Sequence, residues 1–136
     1  MVTAVDTSVL LDVLLNDLQH APTSITALRR ASAEGSLILC EIVLAEIAPI
    51  LAVTDVTQFL ADWSLTFVPS SQPSALLAGE MYRSYLQGGG KRSRVVPDFL
   101  VAAHAQTHAN RLLARDRGYY RDYFKGLQLW NPTLLT

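Results

Sequence analysis

Cysteine is almost missing from this chain. A single thiol, Cys40, stands among 136 residues, so no internal disulfide can form and the composition fits a reducing compartment. Cys40 ends the apolar run Leu37-Ile38-Leu39-Cys40, where a buried structural thiol is expected rather than a nucleophile. Charge is sparse as well. Only 17% of residues are Asp, Glu, Lys or Arg against 50% hydrophobic, which excludes a disordered chain and leaves a globular one. No apolar run approaches the roughly twenty residues of a membrane span. The first apolar run carries Asp6 and has no basic leader, so no secretory signal is expected. Repeats and linkers are also lacking, so residues 1–136 are expected to form one domain, soluble and cytoplasmic, with no membrane partner.

Charge of one sign is lacking locally rather than overall. The net charge is −1, yet residues 1–80 carry nine acids and two bases, and residues 81–136 carry nine bases and three acids. Such asymmetry points to an anionic partner for the second half, although folding mixes the two halves and helix surfaces need charge anyway. The triple glycine 88–90 lacks the strand-to-helix spacing of a dinucleotide fingerprint.

The chain opens Met1-Val-Thr-Ala-Val-Asp6-Thr7-Ser8. A short β-type run ending in an acid, then two residues that can cap a helix, places Asp6 at a strand-to-helix switch. Val9 to Leu15 continues helically, and Ala21-Pro22-Thr23 is expected to break the pattern before a helix over 24–33. Gly35 stops that helix. Leu37 to Cys40 reads as a buried strand, and 41–51 as a helix kinked or ended by Pro49. Further helices are expected from Thr54-Asp55 through Trp63, over 73–86, over 97–108 with Pro97 in the first turn, and over 119–124. Strands are expected over 65–68, 111–114 and 127–130. Strands and helices alternate, so the class is α/β with a mainly parallel sheet of four to five strands.

Four acids stand at chain positions that feed one sheet edge. Asp6 and Asp116 follow the first and fourth strands, Asp98 opens a helix, and Glu46 lies about a turn into the helix after strand two. In an open α/β sheet, strand carboxyl ends and the starts of the following helices share an edge. Four carboxylates gathered there repel without a cation, and hard divalent ions such as Mg²⁺ or Mn²⁺ relieve this with oxygen ligands. An ion so held beside a groove suits phosphoryl chemistry. The bland alternatives are that Asp98 favours a helix dipole and Asp116 caps the next segment.

The pieces Asp6-Thr7-Ser8 with Leu10-Leu11-Asp12, Glu41-Ile-Val-Leu-Ala-Glu46, Pro97-Asp98-Phe-Leu-Val-Ala-Ala-His-Ala105 and Arg111-Leu-Leu-Ala-Arg-Asp116-Arg-Gly-Tyr-Tyr120 carry a family likeness. The chain resembles the PIN-domain nucleases, and within them the ribonuclease toxins of VapBC-type toxin–antitoxin modules. The resemblance covers nearly the whole chain and implies a three-layer α/β/α sandwich. It also implies a Mg²⁺- or Mn²⁺-dependent endoribonuclease, a homodimer, and an antitoxin protein that blocks the site. By the match Asp6, Glu46, Asp98 and Asp116 are the catalytic, metal-binding acids, and Ser8 is the small polar residue that orients Asp6 or a metal-bound water. The chain departs from the pattern at Ala114, where a hydroxyl residue is frequent, and at Glu41, where a small cap is common; the first departure would loosen a second metal position.

Lys91, Arg92 and Arg94 in the glycine-rich loop, with Arg115 and Arg117 beside Asp116, would ring the same site and hold RNA phosphates without reading sequence. All five tyrosines lie between Tyr82 and Tyr123; bases stack on such rings, but for most the favoured reading is that Tyr82 and Tyr85 pack as core and Tyr119, Tyr120 and Tyr123 cover the sheet. His104 and His108 share a helix face without a completing ligand and carry no metal site of their own. Two other readings use the same residues. One is a non-catalytic PIN-like module that binds RNA or protein, and the other is a metal-dependent phosphatase, which would not need the basic loop.

Overall fold

The computed structural model describes residues 1–92, 95–115 and 118–135. Five strands form one sheet: β1 (Val2–Val5), β2 (Ser36–Leu39), β3 (Leu65–Phe67), β4 (Arg111–Leu113) and β5 (Leu129–Trp130). Their order is β3-β2-β1-β4-β5, and every pairing is parallel. The mainly parallel sheet read from the sequence is therefore wholly parallel, with β5 shortened to two residues. Both flanks of such a sheet are covered, which is why successive residues of β1, β2 and β4 are buried rather than alternate ones.

The helices are α1 (Thr7–Leu14), α2 (Ala21–Glu34), α3 (Glu41–Ile47), α4 (Val53–Asp62), α5 (Gln72–Gln87), α6 (Val96–His108) and α7 (Tyr119–Tyr123). Crossovers of the usual right hand place α1 to α4 on one face and α5 to α7 on the other. Pro49 ends α3 through a 3₁₀ turn over Ala48–Ile50, as its missing amide requires. Pro22 does not break the chain. It sits in the first turn of α2, which begins at Ala21, where a helix needs no amide donor. Asp17 serves the approach to that helix, its carboxylate accepting from the amides of Gln19 and His20 at 2.9 and 2.8 Å.

The core lies on both faces of the sheet, with Val5, Leu10, Leu28, Leu39, Phe99 and Leu112 among its fully buried side chains. α5 and α6 pack antiparallel: Ser71, which caps α5, meets His108 at the end of α6, while Tyr85 near the end of α5 meets Phe99 at the start of α6. The first turn of α6 is thereby set beside α7, since Phe99 also packs on Tyr119, Tyr123 and Phe124. Among the described residues, no single helix is long and apolar enough to cross a membrane.

Candidate functional site

The strand order reverses between β1 and β4, because the chain runs outward from β1 to β2 and β3, then returns to β4 and β5. The crevice at the carboxyl ends of those two strands is where an open α/β sheet has room for a ligand. Asp6 occupies that place. Its amide donates to the Leu113 carbonyl at 2.9 Å, so the backbone there is fixed to β4. Asp6 itself, rather than Thr7 or Ser8, is the N-cap of α1.

The Asp6 carboxylate is 2% exposed and is held on both oxygens. Oδ2 accepts the Ser8 hydroxyl at 2.6 Å and the Ser8 amide at 3.2 Å. Oδ1 accepts the Tyr120 phenol at 3.0 Å. The Ser8 oxygen in turn accepts the Arg115 amide at 3.3 Å, so residues on both sides of the switch point grip one acid. Thr7 donates its hydroxyl to Glu46 Oε1 at 2.8 Å, which joins the start of α1 to α3 and brings Glu46 to the residue next to Asp6. Asp98 lies in the first turn of α6. Its carboxylate is close enough to act on Tyr119, whose phenol is pushed up first by desolvation and then by Tyr85 and Asp98.

Thr7, the residue beside Asp6, thus holds Glu46, while Asp98 opens α6 next to α7. Asp116, Arg117 and Arg94 lie outside the described residues. Lys91 and Arg92 are exposed. Arg115 has an internal engagement as well: its guanidinium meets buried Asp12 at 3.0 Å, and Asp12 also accepts the Ser24 hydroxyl at 2.7 Å. The Arg115 Nε is buried and has no hydrogen-bond partner among the described residues.

The donors available at this edge are carboxylates and hydroxyls, the set that suits Mg²⁺ or Mn²⁺. The nearby thiol, Cys40, is buried and its pKa is pushed up by that burial, so it offers no soft ligand. Among the described residues, no three acids, histidines or cysteines gather closely enough to hold an ion. The chemistry of the donors fits a hard cation.

Three residues at or beside the site, Tyr120, Thr7 and Asp12, are given no part in the site by the sequence reading, where Thr7 figures only as a helix cap. Tyr120 is expected there to cover the sheet with Tyr119 and Tyr123, and nothing in the triplet's spacing marks which phenol turns inward. Of the histidine pair, His104 bonds the Val68 carbonyl at 2.7 Å and His108 bonds Ser71 at 3.0 Å.

A wholly parallel sheet with a buried acid, Asp6, at its switch point defines an α/β domain of the open, doubly wound kind. The PIN domain family model matches residues 3–125, and the chain belongs to that family. PIN domains are in general nucleases. Solved structures share the fold. The crystal structure of VapBC2 from Rickettsia felis, bound to a DNA fragment from its promoter, matches with a TM-score of 0.74 at 19% identity, over 96% of this chain and 98% of that one. VapBC-1 from nontypeable Haemophilus influenzae matches with a TM-score of 0.71 at 14% identity, over 98% and 99%. FitAcB from Neisseria gonorrhoeae matches with a TM-score of 0.68 at 20% identity, over 98% and 99%. No curated protein sequence matches the chain.

Proposed function

We propose that this protein is a metal-dependent endoribonuclease and the toxin of a VapBC-type toxin–antitoxin module. The observation that carries the reading is the Asp6 carboxylate, buried at the switch point and held by Ser8 and Tyr120. Burying a carboxylate costs stability unless it is hydrogen-bonded, and this one is bonded at the edge where Thr7 also holds Glu46. In this reading Asp6, Glu46, Asp98 and Asp116 hold Mg²⁺ or Mn²⁺. When bound, such an ion polarises a phosphodiester and lowers the pKa of water.

The remaining work belongs to the chain's own groups. Ser8 keeps Asp6 in one orientation, and Thr7 does the same for Glu46. Lys91 and Arg92, with Arg94, Arg115 and Arg117, hold RNA phosphates by charge and select no sequence. Arg115 shares its guanidinium with Asp12, so it is less free to reach solvent than the exposed Lys91 and Arg92. The partners are an RNA, an antitoxin that places a basic or polar group among the acids, and a second copy of the chain. The exposed side of α5, with Leu76 beside Gly79, is a suitable surface for that copy.

The test is cleavage of a mixed RNA pool by purified, antitoxin-free protein in Mg²⁺, Mn²⁺ or EDTA, beside Asp98→Asn. The reading expects metal-dependent cutting that falls to background in the folded variant. Equal cutting by Asp98→Asn would overturn the assignment. A second reading, a non-catalytic PIN-like binding module, draws on the lack of a closed three-ligand group among the described residues. It expects RNA or protein binding without metal uptake.

A further inference from the structure

We infer that Tyr120 is a positioning residue of this site, its phenol hydroxyl holding the Asp6 carboxylate so that one lone pair is left for an ion. The inference rests on the metal-dependent reading above. An ionised carboxylate has about four lone-pair sites, two on each oxygen. Ser8 fills both on Oδ2, through its amide at 3.2 Å and its hydroxyl at 2.6 Å. Tyr120 fills one on Oδ1, at 3.0 Å. The open site is therefore on Oδ1, beside the phenol, and a bound cation would be met by that oxygen alone.

The two anchors come from different parts of the chain. Ser8 lies in the first turn of α1, and Tyr120 in α7, 114 residues beyond Asp6. Rotation of a carboxyl group about its last torsion is broad and weakly restrained, so donors on both oxygens are needed to fix its plane. Tyr120 is 1% exposed, and its ring would fill the same volume as phenylalanine. Packing alone therefore does not call for the hydroxyl. Its two neighbours on α7 face elsewhere: Tyr119 and Tyr123 pack edge-on against Tyr85. The Tyr120 hydroxyl is directed to a charged acceptor, a bond stronger than one between neutral groups.

Partners of metal ligands commonly carry a factor of about 10–100 in metal affinity or activity. Mn²⁺ binding to the full chain, measured by calorimetry, should therefore weaken about tenfold or more in Tyr120→Phe, beside the fall in thermal midpoint in EDTA that loss of a bond to a buried carboxylate brings. A purely structural tyrosine would give the same fall in midpoint with unchanged Mn²⁺ affinity. Unchanged affinity in Tyr120→Phe, while Asp6→Asn abolishes binding, overturns the inference and leaves the metal site standing. Tighter binding in Tyr120→Phe also overturns it, since the phenol would then be competing with the ion. A folded parent chain that takes up no Mn²⁺ removes both the inference and the metal-dependent reading. If Tyr120→Phe loosens the fold, the titration is run in trimethylamine N-oxide, which favours the compact state, and the same outcomes decide.

Discussion

His104 is a core histidine whose chemistry makes stability depend on pH. Its ring is 1% exposed, and Nε2 stands 2.7 Å from the Val68 carbonyl. A carbonyl only accepts, so Nε2 carries the proton. Burial lowers the pKa of the ring; His108 adds to that, while Val68 and Glu41 oppose it. The folded pKa thus lies below the unfolded value of about 6.5. The unfolded chain binds more protons between those two values, so stability is full above about pH 6.5 and is lost as pH falls through the window. Urea unfolding between pH 5 and 7.5 should show that loss, and His104→Gln should flatten the slope. At this scale Asp6 was legible because an acid closing a β-type run has few other uses. Tyr120 was not, since three tyrosines in five residues give no sign of which hydroxyl faces a carboxylate until β4 and α7 are placed beside β1.

Among the elements, α5 shows how a local signal and a distant partner combine. Ser71 accepts the Ser74 amide at 3.3 Å while Ser74 Oγ accepts the Ser71 amide at 2.9 Å, a reciprocal cap that satisfies two end donors. His108 meets the same Ser71 oxygen from α6. Ser71→Ala should cost about 1 kcal/mol, read as a lower midpoint in chemical unfolding with an unchanged slope. Boundaries set by proline were legible where it lay inside a helix, as at Pro49. They were misread at Pro22, where the same ring is harmless in a first turn. The loop after α5 looked free from its glycines, yet a Cβ at Gly90 would come within 2.5 Å of the Tyr85 ring. That glycine is packed against an aromatic face, which no local pattern announces.

Across the molecule, the bases of the second half are put to different uses. Lys91 and Arg92 are exposed, whereas Arg111 is buried against Thr3, Glu34 and the Trp130 ring and holds the sheet's opposite end. Charge counts along a sequence cannot separate these two uses of a cation. RNA binding by the double variant Lys91→Ala, Arg92→Ala should weaken evenly across sequences, and its salt slope should fall by roughly 0.7 for each phosphate no longer neutralised. A titration at several salt concentrations reads both effects. The alternation of strands and helices made the α/β class legible. The order of the strands was not, because periodicity marks a strand without marking its neighbours.

The central place of β1 has a consequence for when the protein becomes active. Val2 pairs with the segment around Asn110, and the Asp6 amide with Leu113, so the first strand synthesised is completed by one of the last. A ribosome-bound chain lacking residues 111–120 has neither the backbone partner of Asp6 nor the phenol that fixes its carboxylate. The acid that follows β1 is put in place only once β4 and α7 have been added. On the nuclease reading proposed above, the site forms only after those elements have docked.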